Sequence, residues 1–239
     1  MQPDLHPLVV CGGGRLGTRI ANALRDLGLS PASARLDPAQ GVCANGQPLR
    51  GRIVTLLICI SPRDVAEPDR NAWWQALFLA VRNERDAGEL AIERLYFVSS
   101  TVVYDGIARG FIDAETPSRP ASPRAEAMVA AEASARQCAA YSCMLRCAGL
   151  YGSEYLRYDP KTFSQDRLRH GVDVDDAATR IARVMQEEIP PAVVLLTDGR
   201  VYFQGQEYAA GRNEPAASRL AENGAVMLAG KSRNDSRNY

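Results

Sequence analysis

A glycine-rich turn near the start of the chain constrains the fold more than any other feature. Residues 8–17 read LVVCGGGRLG, an apolar run that leads through Gly12 and Gly14 to Gly17. This G-x-G-x-x-G pattern between a strand and a helix is typical of dinucleotide binding. Its first glycine permits a tight turn, its second lets the backbone approach a pyrophosphate, and its third allows close packing of helix on strand. The turn residues that we expect to bind the cofactor are Gly12, Gly14, Arg15, Leu16 and Gly17.

The rest of the chain alternates between apolar strands and amphipathic helices. Most of the predicted strands are apolar throughout, which indicates a parallel sheet covered on both faces. The fold class that we predict is therefore α/β, a Rossmann-type doubly wound parallel sheet. The predicted strands lie at 8–11, 33–37, 52–62, 90–101, 141–152 and 193–199, and the predicted helices at 16–28, 71–88, 122–137 and 173–188.

The pattern of apolar residues along the chain changes after Gly152. Residues 153–171 are polar and poorly patterned, and the chain beyond residue 199 has little apolar content. We therefore predict two parts, an NAD(P)-binding Rossmann domain at 1–152 and a small substrate-binding region at 153–239.

Composition excludes several classes of function. The 28 basic and 28 acidic residues balance to a formal charge of zero, whereas nucleic-acid binders usually carry a basic surface. The apolar run at 54–60 is too short to cross a bilayer, and the first ten residues lack the basic patch of a signal peptide. The six cysteines are scattered, and the closest group, Cys138, Cys143 and Cys147, has neither a CxxC pair nor a histidine beside it, so we expect no metal site and a reducing cytoplasm. We expect neither nucleic acid nor a membrane as a partner.

The end of the second predicted strand bears on the choice of cofactor. An acid about 20 residues beyond the motif usually holds the ribose 2′-hydroxyl of NAD, whereas an arginine there accommodates the 2′-phosphate of NADP. Arg35 lies 18 residues after Gly17, and Asp37 lies 20 residues after it. Because Gly28 marks the helix end, Arg35 is favoured as the strand-end residue, and we expect NADP rather than NAD. Two alternatives stay open, namely Arg35 as a solvated loop charge and Asp37 as a ligand of NAD.

Five segments in a fixed order carry a family resemblance. The glycine turn is followed by VSSTVVYDG, by a helix that begins at Ser-Pro, by LRCAGLYG and by VDVDDAA. In this order the chain resembles the extended short-chain dehydrogenases/reductases, the NAD(P)-dependent sugar epimerases and dehydratases. It is most similar to atypical members with a GxGxxG motif. The family's substrate domain is generally longer than residues 153–239, so a shallow pocket or one completed by a partner chain is expected.

The resemblance assigns roles to residues at the ends of strands. It implies that Ser100 hydrogen-bonds the substrate oxygen and that Tyr104, four residues later, belongs to the catalytic site. For Ser100 the alternative is a strand-end hydroxyl that only satisfies the backbone. Ser61 and Ser99, at the ends of two strands, are assigned to the cofactor site.

The proton carrier of the family is replaced in this chain. The family has a tyrosine in Y-x-x-x-K, eight residues before a glutamate, and counting back from Glu132 places Arg124 at the tyrosine and Met128 at the lysine. A guanidinium stays protonated, so Arg124 cannot act as acid or base, but it can bind a carboxylate or phosphate bidentately. We therefore place Arg124 in the catalytic and substrate site, together with Tyr151 of LRCAGLYG.

Two functions remain open from the sequence. The first is an NAD(P)-dependent oxidoreductase or epimerase-like enzyme that acts on a small metabolite, with its proton supplied by Ser100, Tyr104, Tyr151 or water. The second is a non-catalytic NAD(P)-binding sensor or accessory subunit, which an intact glycine turn beside a replaced Y-x-x-x-K would fit. The resemblance also implies a homodimer that pairs through helices such as 71–88 and 123–137.

Overall fold

The computed structural model describes residues 5–62, 65–107, 110–152, 169–203, 206–209 and 225–227. Its main sheet has eight strands in the order β11-β8-β6-β5-β1-β2-β3-β4, and the six from β11 to β2 run parallel. The strands of this sheet are β1 (Leu5–Cys11), β2 (Ala32–Asp37), β3 (Gly41–Ala44), β4 (Gln47–Pro48), β5 (Gly51–Ile58), β6 (Leu90–Ser100), β8 (Tyr141–Cys147) and β11 (Val193–Leu196).

Helices cover both faces of this sheet. The helices are α1 (Arg15–Asp26), α2 (Arg70–Asp86), α3 (Pro123–Ala135) and α4 (Val174–Val184). Helices α1 and α4 pack together on one face, and α2 and α3 pack together on the other. Each face buries its own apolar cluster, which explains why the central strands are apolar on both sides. The predicted α/β doubly wound fold is confirmed. None of the described helices has the length and apolarity needed to cross a membrane.

An antiparallel hairpin completes one edge of the sheet, and the sequence analysis missed it. Strand β3 returns antiparallel to β2, and β4 pairs antiparallel with β3. Both residues of the connecting loop, Asn45 and Gly46, have positive φ values of 51° and 77°. Asn-Gly with positive φ at both positions is the strongest sequence signal for a two-residue hairpin. This signal therefore predicts β3 and β4, although the strands themselves are short.

Smaller sheets lie outside the main one. Strand β9 (Gly149–Tyr151) runs parallel to β10 (Arg169–Asp173), which pairs antiparallel with β12 (Arg200–Phe203), and β12 pairs antiparallel with β13 (Gln206–Ala209). A two-stranded parallel sheet joins β7 (Gly110–Ile112) to β14 (Ala225–Met227). Both β11 and α4 follow residue 152 in the chain, yet they belong to the main sheet and its helical layer. The two-part division at residue 152 stays a prediction.

Candidate functional site

Two of the three motif glycines are required by the fold itself. Gly12 has a φ of 142°, and a Cβ atom there would lie 2.0 Å from the carbonyl oxygen of Cys59, the residue after β5. A Cβ on Gly17 would lie 2.0 Å from the carbonyl oxygen of Gly12. These close contacts hold the turn against β5 and the first turn of α1 against β1. The roles predicted for the first and third glycines are those of a tight turn and of close helix packing.

The second motif glycine, Gly14, has open space around it. Its φ of −76° and ψ of 177° are extended values that any residue adopts, and a Cβ there would meet no atom within 4 Å. Gly14 caps α1 without a side-chain hydrogen bond, and the first turn of α1 holds no acidic residue. The fold does not require glycine at this position. The open approach and a helix N-terminus without a side-chain cap fit an anionic group such as a pyrophosphate.

The glycine turn lies where the order of the sheet reverses. Strand β1 is flanked by β2 on one side and by β5 on the other, so the chain leaves β1 at a topological switch point. Ligands of open α/β sheets bind in the crevice outside the carboxyl ends of the strands at such a point. Of the two non-glycine residues of this turn that we expect at the cofactor, Leu16 is buried in the core and Arg15 is exposed.

Arg35 and Asp37 extend beyond the end of β1. Cys11, the last residue of β1, pairs with Ala34, so Arg35 is the first residue of β2 past that end. Ala34 and Leu36 pack on the α2–α3 side, so the strand period directs Arg35 to the opposite side, where it is exposed. Asp37 accepts hydrogen bonds through Oδ1 from the backbone N–H groups of Ala39 and Gln40. The position of Arg35 suits contact with a group bound at the glycine turn, and Asp37 is already used by the local turn.

A cavity of about 520 Å³ opens at the carboxyl ends of β5, β6 and β8, and its lining begins at Ile60, the residue after Cys59, whose carbonyl oxygen lies against Gly12. Its volume is within the ordinary range for small-molecule sites. Two of its sides are formed by the N-terminal halves of α2 and α3. The lining residues are Ile60, Ser61, Pro62, Arg70, Trp74, Val98, Ser99, Ser100, Arg124, Ala127, Met128, Cys147, Ala148, Gly149 and Leu150.

The structure brings together part of the predicted site. Four residues singled out in the sequence, Ser61, Ser99, Ser100 and Arg124, line this one cavity. Among the described residues that line it, neither Tyr104 nor Tyr151 is present. The predicted residues thus fall into a cavity group, a group at the glycine turn and the end of β2, and two tyrosines outside both.

Helix α3 begins as its sequence predicts and presents two residues to the cavity. Ser122 accepts a hydrogen bond from the backbone N–H of Ala125 at 3.2 Å, and Pro123 occupies the first helical position. Arg124 and Met128 are four residues apart, so they lie on one face of the helix, and both line the cavity. Further along this face, Ala131 and Ala135 are fully buried in the core.

Ser100 makes the local contact expected of a strand-end hydroxyl. Its Oγ accepts a hydrogen bond from the backbone N–H of Val102 at 3.2 Å and caps the 3₁₀ turn at Thr101–Tyr104. The same hydroxyl is half-buried at the cavity wall. A hydroxyl that accepts one hydrogen bond retains its own O–H for donation. Ser100 can therefore cap the turn and donate to a ligand in the cavity at once.

Behind the cavity wall lies a buried charge network. Glu132, only 3% exposed, receives Arg146 Nε at 2.9 Å and Nη2 at 2.7 Å, and Ser99 Oγ donates to Glu132 Oε1 at 2.6 Å. Arg146 Nη1 donates to the hydroxyl of Tyr104 at 2.6 Å, and the guanidinium lies 4.9 Å from the centre of the Tyr104 ring. This bidentate pair fixes α3 to β8 and to the end of β6. Glu132, the glutamate from which the positions of Arg124 and Met128 were counted in the sequence, thus has a structural role in this network.

Tyr104 is part of that network rather than of the cavity. It is 2% exposed, and its hydroxyl also donates to the backbone oxygen of Asp113 at 3.4 Å. Burial raises the pKa of Tyr104, although the neighbouring Arg146 acts in the opposite direction. A phenol in this setting stays protonated at neutral pH and has its hydrogen-bonding capacity occupied.

Tyr151 and Asp173 fill structural positions next to β10. The hydroxyl of Tyr151 donates to Asp198 Oδ2 at 2.8 Å. Asp173 caps α4, because its Oδ1 accepts from the backbone N–H groups of Asp175 and Asp176. The first contact joins β9 to the segment after β11, and the second joins the end of β10 to the start of α4.

The polar groups of the cavity are hydroxyls and guanidiniums. Among the described lining residues there is no aspartate, glutamate, histidine or lysine. The remaining ionisable group is the thiol of Cys147, and burial raises its pKa above the ordinary value. No described side chain of the lining therefore changes its charge near neutral pH.

Two lining residues were not predicted from the sequence. Arg70 and Trp74 reach the cavity from the first turns of α2. Trp74 also packs against Phe78 and Phe97 in the core, which is the role that its sequence context indicates. The position of the first turn of α2 depends on the path of the chain between β5 and α2. Nothing in the local sequence indicates that path.

Comparison with solved structures shows extensive likeness. A candidate NAD-dependent epimerase/dehydratase from Methylobacillus flagellatus has a TM-score of 0.62 and 22% identity, over 99% of this chain and 93% of that chain. A dTDP-4-dehydrorhamnose reductase from Clostridium acetobutylicum has a TM-score of 0.62 and 14% identity, over 94% and 84% of the two chains. A short-chain dehydrogenase/reductase superfamily protein from Agrobacterium tumefaciens, solved with bound NAD, has a TM-score of 0.58 and 18% identity, over 94% and 85%.

The chain has the short-chain dehydrogenase/reductase fold. The resemblance stated from the sequence is confirmed at the level of this fold. By sequence, the chain matches no protein-family profile and no curated protein. Within the short-chain dehydrogenase/reductase fold, the crevice from the glycine turn to the cavity is the candidate site of this chain.

Proposed function

We propose that the protein is an NAD(P)-dependent oxidoreductase that acts on a small metabolite without a Tyr/Lys proton relay. The observation that carries this proposal is the glycine turn. Gly12 and Gly17 are held by backbone contacts, Gly14 leaves open space at a helix N-terminus without a side-chain cap, and the turn adjoins the cavity. The bound NAD of the Agrobacterium structure supports the cofactor assignment.

In this assignment the chain would hold the central pyrophosphate and the nicotinamide end of a dinucleotide. The N-terminus of α1 and Gly14 would hold the pyrophosphate, and Ser61 and Ser99, which line the cavity, would lie at the nicotinamide end. The nicotinamide ring, when bound, exchanges a hydride with a carbonyl or imine carbon. Trp74 and Met128 form part of the apolar lining of the cavity.

Ser100 is the group that binds the reacting oxygen or nitrogen. In its contact with Val102 the Ser100 hydroxyl is the acceptor, so this contact does not use its hydrogen, which can be donated to a ligand. Reduction of a carbonyl adds one hydride to carbon and one proton to oxygen, and that proton comes from water through Ser100. Tyr104 takes no part in this transfer, because its hydroxyl lies in the Arg146 network. Proton transfer without a tuned acid lowers the rate, by about 10²- to 10⁴-fold for a typical positioned acid.

Arg124 and Met128 take the positions of the family's tyrosine and lysine in this proposal. Their common face on α3 at the cavity supports that correspondence. Arg124 is then a substrate-binding group that stays charged, and Met128 is an apolar wall. We assign the same crevice to NADP rather than NAD, because Arg35 lies beyond the end of β1 and Asp37 is engaged by backbone N–H groups.

One observation favours the second function, a non-catalytic NAD(P)-binding sensor or accessory subunit. No described side chain of the cavity titrates near neutral pH. Such a cavity can bind a cofactor and a ligand without turning them over. In either function we expect a small-molecule ligand and a homodimer.

Direct measurement separates the two functions. NADPH and NADH binding is followed by the fluorescence of the reduced nicotinamide, and oxidation of the bound cofactor is then followed with a panel of carbonyl and imine compounds. Binding with turnover supports the oxidoreductase. Binding without turnover over the whole panel favours the sensor or subunit, and absence of binding at millimolar cofactor contradicts both.

A further inference from the structure

We propose that the ligand of the cavity carries a carboxylate or phosphate group, and that Arg124 and Arg70 bind this group. The inference rests on the proposed function for the identity of the neighbouring cofactor, but the anion site is defined by these two residues alone. The inference concerns the chemical class of the substrate and gives Arg70, a lining residue of the cavity, a role in binding it.

The charge of the cavity is the first argument. Its described lining contains two guanidiniums and no carboxylate, so two positive charges face a space that apolar side chains partly enclose. Charges in a partly enclosed site are screened less than charges on an open surface. The Arg70 side chain is partly buried, so its attraction for an anion is screened less than that of a surface charge, whereas Arg124 is exposed at the cavity wall.

Arg124 has its full donor capacity available. Within the described part of the chain, no residue forms a hydrogen bond or an ion pair with its guanidinium, and the neighbouring Arg136 on the same helix is instead bound to Glu132 and Ala192. The rigid fork of a guanidinium matches the two oxygens of a carboxylate or phosphate. An unpartnered arginine at a cavity wall is thus ready for bidentate recognition.

Arg70 is held in place and only partly neutralised. Its Nε donates to the backbone oxygen of Val65 at 3.2 Å, which anchors the side chain. Its Nη1 lies 3.8 Å from Glu67 Oε1, a distance too long for a hydrogen bond, and the Glu67 side chain is 57% exposed. Helix α3 contacts the 3₁₀ turn at Glu67–Asp69, which places the starts of α2 and α3 side by side. The terminal nitrogens of Arg70 can therefore support an anion bound by Arg124.

The phosphates of the cofactor do not account for these two arginines. The pyrophosphate is assigned to the N-terminus of α1 at Gly14, and a 2′-phosphate is assigned to Arg35. Neither Gly14 nor Arg35 lines the cavity, which lies instead at the ends of β5, β6 and β8. Ser100, on the same wall, can donate to the reacting oxygen of a ligand whose anionic group is held by Arg124. The class that fits is a small carbonyl or imine compound that carries an anionic group.

Tryptophan fluorescence can report binding in the cavity. The chain has two tryptophans, and Trp74 lines the cavity while Trp73 lies next to it, with ring centres 4.9 Å apart. Oxalate, inorganic phosphate and oxamide, the neutral isostere of oxalate, are titrated into the cofactor-free protein at low ionic strength and neutral pH. We expect saturable changes in tryptophan fluorescence with oxalate or phosphate and none with oxamide. The stronger of the two anions identifies carboxylate or phosphate as the natural group.

Substitution of single arginines tests which residues bind the anion. Arg124→Gln should weaken anion binding roughly tenfold to hundredfold, the range for a lost charge-assisted hydrogen bond, and Arg70→Gln should weaken it less. Arg124→Lys keeps the charge but loses the fork, and it should bind with intermediate affinity. Arg183→Gln, an exposed arginine of α4 on the other face of the sheet, is the matched control and should bind like the wild type. Thermal unfolding of each variant confirms that it is folded.

The outcomes separate this inference from the proposed function, because NADPH binding is measured independently. If NADPH binds and the anions do not, or if they bind equally well to the Arg124→Gln protein, the inference is wrong and the cofactor assignment stands. If the anions bind through Arg124 and NADPH does not bind, the anion site stands and the proposed function is wrong. Equal responses to oxalate and oxamide would also contradict the inference.

Discussion

Alanine at the three consecutive glycines 12–14 and at Gly17 should have sharply different effects, and the contrast between Gly14 and Gly17 is the most direct test of the site. A Cβ at Gly17 would lie 2.0 Å from the carbonyl oxygen of Gly12, far inside contact distance, so α1 must move away from β1. Overpacking of this kind costs about 1 to 3 kcal/mol of unfolding free energy, or more where backbone must shift. For a chain of this size the melting temperature should fall by roughly 2 to 12 °C.

Gly14→Ala should leave the fold intact and impair cofactor binding. Its φ is compatible with alanine, and the added Cβ would meet no atom within 4 Å, so the change in stability should stay within about 1 kcal/mol. The same methyl group occupies the space through which a pyrophosphate approaches the helix N-terminus. Loss of one hydrogen bond to a charged phosphate weakens NADPH binding roughly tenfold to hundredfold.

The assay combines thermal unfolding with an NADPH titration on the same protein samples. Gly13→Ala is the matched control, because a Cβ on Gly13 also meets open space but this glycine is a variable position of the motif. It should retain both stability and binding. Wild-type NADPH affinity in the Gly14→Ala protein would refute the assignment of the pyrophosphate to this turn, and wild-type stability of the Gly17→Ala protein would refute the packing argument.

Three further predictions concern the buried network, the cofactor and alkaline pH. Glu132→Gln leaves the guanidinium of Arg146 buried without its carboxylate and should lower the unfolding free energy by about 3 to 5 kcal/mol in urea denaturation. A loss below about 1 kcal/mol would contradict the conclusion that this buried ion pair stabilises the fold. Arg35→Ala should weaken NADPH binding roughly tenfold or more while NADH binding changes little, and equal effects on the two titrations would rule out the 2′-phosphate assignment. Burial raises the pKa of Cys138 to about 11 and that of Cys143 to about 12, from an ordinary value of 9.0. These thiols ionise first in the unfolded chain, so their stabilising effect is complete below pH 9.0 and is lost as the pH rises towards 11 or 12. Urea denaturation as a function of pH should show this alkaline loss, and the Cys138→Ala protein should show less of it than the wild type.

The parts of the fold that follow from sequence are those with strong local patterns. The glycine turn predicted β1 and α1, and the Ser122-Pro123 pair predicted the start of α3, because a cap and a missing N–H act within one turn of helix. The apolar runs predicted the parallel strands because both faces of the sheet are covered. The β3–β4 hairpin was missed although its Asn45-Gly46 turn is a local signal, since its strands are too short for periodicity to show.

The site was only half predictable, for a physical reason. Ser100 and Arg124 were identified because each lies at a fixed distance from a motif, and both line the cavity. Tyr104 was placed in the site by the same counting, but the structure directs its ring into the Arg146 network behind the wall. Side-chain direction depends on packing partners that are distant in sequence, and Arg146 lies 42 residues from Tyr104. Arg70 reaches the cavity through the path of a connecting segment, which no pattern in the sequence indicates.

The hairpin at the edge of the sheet also bears on how the chain behaves in solution. An open edge strand offers unpaired N–H and C=O groups to other chains, and short edges or a proline on the edge reduce that risk. Here the edge strand β4 is only two residues long, and one of them is Pro48, which has no N–H to donate. Addition of a strand from another molecule is a common route from a folded sheet to an ordered aggregate. The short β4 strand and its proline therefore disfavour such addition at this edge.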